Sequence, residues 1–312
     1  MPEGTKRVAV IDVGTNSTRL LVADVEDGKV SPLERRSTVT RLGRGVDLSG
    51  HLASEAIEDV CGAIGSYVGI VEELEAETVD AIATSAVRDA DNGSAFVAEL
   101  RERFALSARV LDGEEEARST YLGATSEAPP DEPTLVVDIG GGSTELVVGQ
   151  GSDVSFHDSL QAGVVRHSER HISSDPPTAG ELEALATDVR GLIESSVGAG
   201  VHATQGIAVA GTPTSLAAVE IGLEPYDPSR VHGHVLALPS IQRMLSQLAS
   251  APLAERIEIP GLHPDRAPTI VAGVVILVEV MRAFELEEIA VSEHDILYGT
   301  AISASRQNPL KY

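Results

Sequence analysis

Two stretches of the chain carry residues of the kind that hold phosphate. Residues 136–148 read VVDIGGGSTELVV: an apolar run, one aspartate, three glycines, two hydroxyls, and an apolar run again. Three glycines in a row are entropically costly in any regular element, so between strand-like runs they mark a tight turn. Bare N–H groups in such a turn can converge on an anion with no Cβ in the way. Residues 8–22, VAVIDVGTNSTRLLV, align without a gap onto residues 134–148, TLVVDIGGGSTELVV. Asp12 then matches Asp138, Gly14 matches Gly140, Ser17 matches Ser143 and Thr18 matches Thr144. One cradle would be Gly14, Thr15, Asn16, Ser17 and Thr18; the other Gly140, Gly141, Gly142, Ser143 and Thr144. Asp12 and Asp138 each end a strand, where a carboxylate can hold Mg²⁺ (or Mn²⁺) directly or through water.

Hydrolysis of a phosphoanhydride further needs cations against the spreading charge and a carboxylate to orient or deprotonate water. Arg88, in ATSAVRDADN, can offer a planar fork to phosphate. Arg41, in RLGRG, is a second candidate, and Arg166, after Gly163, a weaker third. The carboxylate is sought in the run Glu114, Glu115, Glu116. Plainer readings exist for each. Acids in a helix's first turn favour its dipole, Arg88 could pair with Asp89 or Asp91 on the surface, and Asp12 could cap a turn.

The elements that must position these groups repeat along the chain. The first half reads as a strand over 8–13, a strand over 19–25, a further strand near 30–40, a helix from about Ser54 to Leu74, and a buried strand at 81–92 running into a loop that carries Arg88. A short strand, a turn and a helix follow over 108–125. SEAPPDEP at 126–133, rich in proline and acid, is the best linker and sets the expected boundary between lobes of 1–126 and 127–312, with the last helix, about 296–306, a candidate to pack back on the first lobe. In the second half Thr178 and Glu181 form a capping-box pattern. Thr212 and Thr214 in AGTPTSLAA suit either a ligand contact or a helix start, and Ser292 in SEHD a helix cap. His232 and His234 lack partners at zinc-like spacing, which favours a loop role. A motif duplicated across a whole domain, in halves that mix strands and helices, implies an α/β protein of two related lobes.

Composition bounds the function. The chain has 312 residues, enough for about two domains, and its 48 acidic against 23 basic residues give a formal charge of −25. Such a surface repels nucleic acid, so no nucleic-acid partner is expected, and a polyanionic substrate must be held locally by arginine, N–H groups and metal. Cys61 stands alone, which excludes an intrachain disulfide and suits a reducing, cytoplasmic setting. The most apolar stretch, IVAGVVILVEVM at 270–281, is short and broken by Glu279, so no membrane partner is expected.

The two D-x-G turns resemble those of the sugar kinase, actin and heat-shock chaperone ATPase superfamily. Within it, IDVGTNSTRLLV, RLGRG, ATSAVRDADN, DGEEEARSTYLG, VVDIGGGSTEL, SLQAGVVRHSER, AGTPTSLAA and PGLHPDRA, in order from Ile11 to Ala267, resemble the Ppx/GppA (exopolyphosphatase / guanosine pentaphosphate phosphohydrolase) family. The resemblance implies two actin-like (ribonuclease H-like) lobes with the active site in the cleft between them. It implies that Glu116 activates water, with Glu115 the alternative, that Arg88 contacts substrate and that Asp138 holds metal. Partners would be polyphosphate or guanosine pentaphosphate, and a homodimer is compatible with the family. Longer relatives continue into a C-terminal helical region that grips long polymers, so release of terminal orthophosphate from short chains is the expectation here. Guanosine pentaphosphate hydrolysis or a guanosine tetra- or pentaphosphate sensor is the alternative, and a kinase or actin-like filament a remoter one.

Overall fold

A computed structural model describes residues 4–306. Its contacts divide the chain into two units, residues up to 128 together with those from 294 onward, and residues 129–293.

The first unit holds β1 (Lys6–Val13), β2 (Ser17–Glu26), β3 (Lys29–Val39), α1 (Val46–Ser49), α2 (Ser54–Glu73), β4 (Thr78–Ala83), α3 (Ser85–Asp89), α4 (Gly93–Phe104), β5 (Ala108–Val110) and α5 (Gly113–Ala124). The second holds β6 (Thr134–Ile139), β7 (Thr144–Gln150), β8 (Asp153–Leu160), α6 (Val164–His171), α7 (Ala179–Ser196), β9 (Gln205–Val209), α8 (Gly211–Glu220), α9 (Pro228–Val231), β10 (Val235–Ala237), α10 (Leu238–Ser250), α11 (Leu253–Arg256), α12 (Ile270–Ala283) and β11 (Glu288–Val291). Helix α13 (Ile296–Arg306) belongs to the first unit.

The duplication seen in the motifs extends to the sheets. The first sheet runs β3-β2-β1-β4-β5; the second runs β10-β11-β9-β6-β7-β8. In both, an antiparallel three-strand meander leads into parallel strands: β1 pairs β4 and β4 pairs β5, as β6 pairs β9 and β9 pairs β11. Only β10 is additional.

Strand β1 is a near-continuous apolar run because both its faces are covered. Ala9, Ile11 and Val13 pack with α2 and α4 residues such as Ile64 and Leu100, whereas Val8 and Val10 pack with Leu297, Tyr298 and Ala301 of α13. Helix α13 also lies against α5. That contact is backbone to backbone: a Cβ on Gly123 would overlap the Asp295 carbonyl, and one on Gly299 would overlap that of Ser119. Glycine at both positions lets α5, which carries Glu116, approach α13 closely.

In the second unit, Leu135, Val137 and Ile139 of β6 share a core with α7 and α12. The apolar stretch at 270–281 is this buried helix α12, with Glu279 held by Arg190 at 3.0 Å and Arg282 at 2.7 Å. No helix among the described residues is long and apolar enough to cross a membrane.

Two local expectations are corrected. Residues 85–89 form a short helix and not a loop, so Arg88 projects from α3. Asp295, and not Ser292, caps the last helix: its Oδ1 accepts from Leu297 N at 3.0 Å, while Ser292 N is bonded to the Ala208 carbonyl. The Thr178–Glu181 capping box forms as its spacing implies.

Candidate active site

Both phosphate-type turns are braced from behind by their carbonyls. In the first, Asn16 O accepts from Thr40 N at 3.1 Å and Arg41 N at 3.0 Å, and Thr15 O accepts from Gly43 N at 2.9 Å. In the second, Gly140 O accepts from Val164 N at 2.9 Å, and Gly141 O from Val165 N at 2.9 Å and Arg166 N at 3.2 Å. Gly142 O accepts from Arg166 Nε at 2.7 Å. The first turn is thus tied to the segment after β3, and the second to the start of α6. Turning the carbonyls inward is what a loop offering its N–H groups outward requires. Gly163 fits here for the same reason, since a Cβ on it would overlap the Gly141 and Gly142 backbone. Arg166, a weak candidate for substrate contact, instead braces the glycine turn.

Not every hydroxyl in the motifs is available. Thr18 Oγ1 bonds Thr40 Oγ1 at 3.1 Å, and Thr144 Oγ1 donates to the Ala162 carbonyl. Both residues are wholly buried. Their side chains lock the hairpins, which leaves their N–H groups as the part of these residues that could meet phosphate. Thr15 Oγ1 is bonded to Ser85 Oγ at 2.8 Å, joining the turn to the start of α3. Ser17, Ser143 and Asn16 are also buried, and Asn16 Nδ2 has no hydrogen-bond partner among the described residues. A buried amide donor without an acceptor marks a place prepared for an anion. Arg41 has left-handed backbone (φ 48°) and an exposed side chain, and its N–H serves Asn16.

The three glutamates separate by environment. Asp112 caps α5, accepting from Glu115 N at 2.8 Å, while Glu115 Oε2 accepts from Asp112 N at 3.3 Å. Glu115 therefore completes a capping box. Glu114 pairs with Arg118 one turn on, at 2.8 Å. Glu116 alone turns inward, 6% exposed. Its Oε2 accepts from Arg88 Nη1 at 2.8 Å, and the same Nη1 donates to the Leu111 carbonyl at 2.9 Å. Burial pushes the Glu116 carboxyl up to about 7, Arg88 pulls against that shift, and the charges of Asp12 and Asp89 add to it. A carboxyl poised near neutrality beside a guanidinium can accept a proton from water.

Asp12 faces Arg19 across the β1–β2 hairpin. Arg19 Nε and Nη2 donate to Asp12 Oδ2 at 2.9 and 2.6 Å, and Nη1 donates to Asp295. Burial raises the Asp12 pKa, with Arg19 opposing. Its Oδ1 is buried without a hydrogen-bond partner among the described residues, so the arginine occupies one oxygen and leaves the other as a potential cation ligand. Replacing Arg19 with alanine would leave Asp12 and Asp295 as facing buried carboxylates. The expected loss is about 3–5 kcal/mol of stability in denaturant melts above neutrality. It should shrink at acid pH, because the Asp12 pKa rises further without Arg19 and a protonated carboxyl carries no charge to strand.

In the second unit the equivalent position is inverted. Asp138 stands opposite Glu145 across the β6–β7 hairpin, where Asp12 stands opposite Arg19. Both acids are buried, at 8% and 2% exposure, and Ser159 Oγ donates to Glu145 Oε1 at 2.9 Å. Carboxylate oxygens of this kind suit Mg²⁺ or Mn²⁺. The residue set that fits a divalent cation here is Asp138 with Glu145. Arg19, Glu145 and Asp295 were not anticipated from the sequence, although the charge reversal at aligned positions 19 and 145 was there to be read.

Other candidates resolve into structure. Thr214 Oγ1 bonds back to the Ala210 carbonyl at 2.9 Å, and Thr212 is buried where a Cβ on Gly273 would touch it. His232 Nδ1 accepts from Glu293 N at 3.2 Å and His234 pairs with Glu220 at 2.7 Å, which are loop roles. Arg266 lies over Gly211, at the start of α8, where a Cβ would come within 2.9 Å of Nε.

Known proteins resemble this chain over most of its length. The chain is 35% identical to exopolyphosphatase 2 of Mycobacterium tuberculosis over 95% of its length and 98% of that protein. It is 28% identical to a guanosine-5'-triphosphate,3'-diphosphate pyrophosphatase of Photobacterium profundum, matching 91% of this chain but only 56% of that longer protein. Among solved structures it superposes on the Aquifex aeolicus Ppx/GppA family member with a TM-score of 0.83 and 33% identity, covering 96% of this chain and 97% of that one. The profile of the Ppx/GppA phosphatase family matches residues 21–303. With its duplicated two-lobed fold and a match running nearly end to end, the chain belongs to the Ppx/GppA phosphatase family.

Proposed function

We propose that the chain is an exopolyphosphatase that releases terminal orthophosphate from inorganic polyphosphate. Water attacks the terminal phosphorus in line, one P–O bond forms to the water oxygen, and the anhydride P–O bond breaks. Glu116 accepts the proton of the attacking water. Arg88 keeps the Glu116 carboxylate oriented and places a positive charge beside the reacting phosphoryl group. In the first unit the N–H groups of Gly14 to Ser17, with Asn16 Nδ2, bind phosphoryl oxygens, and in the second unit the N–H groups of Gly140 to Ser143 are suited to the same task. Asp138 with Glu145, and Asp12 through Oδ1, would hold Mg²⁺ or Mn²⁺, which when bound neutralises charge on the phosphate chain. The enzyme would work in the cytoplasm, consistent with a lone, buried Cys61.

The observation that carries this reading is Glu116: withdrawn from solvent, raised to about 7, and oriented by an arginine. The test is orthophosphate release from a polyphosphate length series and from guanosine pentaphosphate, each with Mg²⁺ and with chelator. Mg²⁺-dependent release from polyphosphate is expected. Release from guanosine pentaphosphate alone would move the substrate to the nucleotide. Tight binding of either without release would make the protein a sensor and overturn the catalytic assignment.

A further inference from the structure

Away from the phosphate turns, helices α6 and α7 of the second unit bring two histidines and an aspartate together. His167 and His171 lie one turn apart on α6, on a common face, with ring centroids 5.5 Å apart. Asp188 of α7 meets that face: its Oδ2 lies 2.8 Å from His171 Nε2 and 3.5 Å from His167 Nε2. One nitrogen of each ring and one carboxylate oxygen fall within 4.8 Å of one another. Ligands of a tetrahedral Zn²⁺ at about 2.0–2.1 Å stand roughly 3.3 Å apart, so small rotations would close the set.

A simple ion pair accounts for His171 and Asp188 but not for His167. That residue is wholly buried, and neither of its ring nitrogens has a hydrogen-bond partner among the described residues. Leaving such a polar group unsatisfied costs about 1–3 kcal/mol. Burial pushes the His167 pKa down to about 4, so at neutral pH the ring is uncharged and its lone pair is available. The His171 and Asp188 side chains are 16% and 33% exposed, which opens one side of the group to solvent. Arg170, also at 3.4 Å from Asp188, approaches from that exposed side and would have to yield the oxygen.

We propose that His167, His171 and Asp188 form a binding site for a transition-metal cation of the Zn²⁺ class, with water completing the coordination. Two imidazoles and one carboxylate suit Zn²⁺, Co²⁺ or Ni²⁺ and disfavour Mg²⁺, so this site is separate from the oxygen-only group at Asp138 and Glu145. Its occupancy would fasten the far end of α6 to α7. The near end of the same helix is bonded to the carbonyls of Gly140 and Gly141, so the metal would also firm the support of the glycine turn.

The test uses the full chain, stripped with chelator and then held in millimolar Mg²⁺ to fill the oxygen site. Zn²⁺ is titrated by calorimetry and by thermal melting, and Co²⁺ by visible absorption. Wild type should bind a single tight equivalent of Zn²⁺, melt several degrees higher, and show ligand-field bands with Co²⁺. His171→Ala should lose the bands and the thermal shift. His167→Leu places an apolar side chain in a buried space, so it should melt no lower than wild type without metal while losing the same responses. Equal Zn²⁺ shifts in wild type and both variants, or no Zn²⁺-dependent shift and no Co²⁺ band in wild type, would overturn the site.

Discussion

Glu116→Gln should lower the turnover number for orthophosphate release by about three orders of magnitude, the middle of the range for a positioned general base, while substrate affinity stays within a few-fold. Glutamine keeps the shape of the side chain and an oxygen for Arg88 but cannot take a proton. Burial places the wild-type carboxyl near 7, so the wild-type rate should fall about tenfold per pH unit below that value, and the residual rate of the variant should lose this limb. Stability moves the other way. A carboxyl whose folded pKa is raised from 4.5 to about 7 favours the folded state when protonated, and that contribution is lost as pH rises through 7. The variant has no charge to bury, so it should melt higher than wild type above neutrality, with the gain fading at acid pH. Retained turnover in Glu116→Gln would sink the assignment, and a lower melting temperature at alkaline pH would contradict the account of burial.

How far the sequence could lead depended on distance along the chain. The paired D-x-G turns were legible because a hairpin is local: its strands and its glycines lie within residues 8–22, and its twin repeats the same pattern in register at 134–148. The capping box of α5 was equally local, yet reading its three glutamates only as dipole partners left the choice between Glu115 and Glu116 open. The cap bears on that choice: Glu115 engages the Asp112 N–H, whereas Glu116 is buried. Arg88 was found by its neighbours in sequence, but its contact with Glu116 depends on α3 and α5 being brought together by the parallel β4–β5 pair. Asp295 had no local signal. It reaches Arg19 because α13 belongs to the first unit, placed by its apolar packing on β1 and by the close approach of Gly299 to α5. The hydroxyls of Thr18 and Thr144 could not be placed from sequence: each is spent on bracing its own hairpin, against Thr40 and the Ala162 carbonyl.

The contrast between the two hairpins yields the second large effect. Asp12 opposite Arg19 is a compensated pair, complete without metal apart from Oδ1. Asp138 opposite Glu145 is an acidic pair in the same register, buried to a similar degree. Writing the first hairpin's solution into the second, as Glu145→Arg, should supply a fixed guanidinium for Asp138 where a divalent cation would otherwise be held. The expected result is loss of Mg²⁺-dependent phosphate release by about two to four orders of magnitude, the several kcal/mol that a metal's charge contributes to phosphoryl transfer. Glu145→Gln is the control. It removes a carboxylate without adding a cation, so raised Mg²⁺ should partly rescue its activity, whereas raised Mg²⁺ should not rescue Glu145→Arg. If Glu145→Arg instead kept wild-type activity and an unchanged Mg²⁺ dependence, Asp138 and Glu145 would not be the metal-holding pair, and Asp12 Oδ1 would be the remaining group of this kind in the duplicated motif.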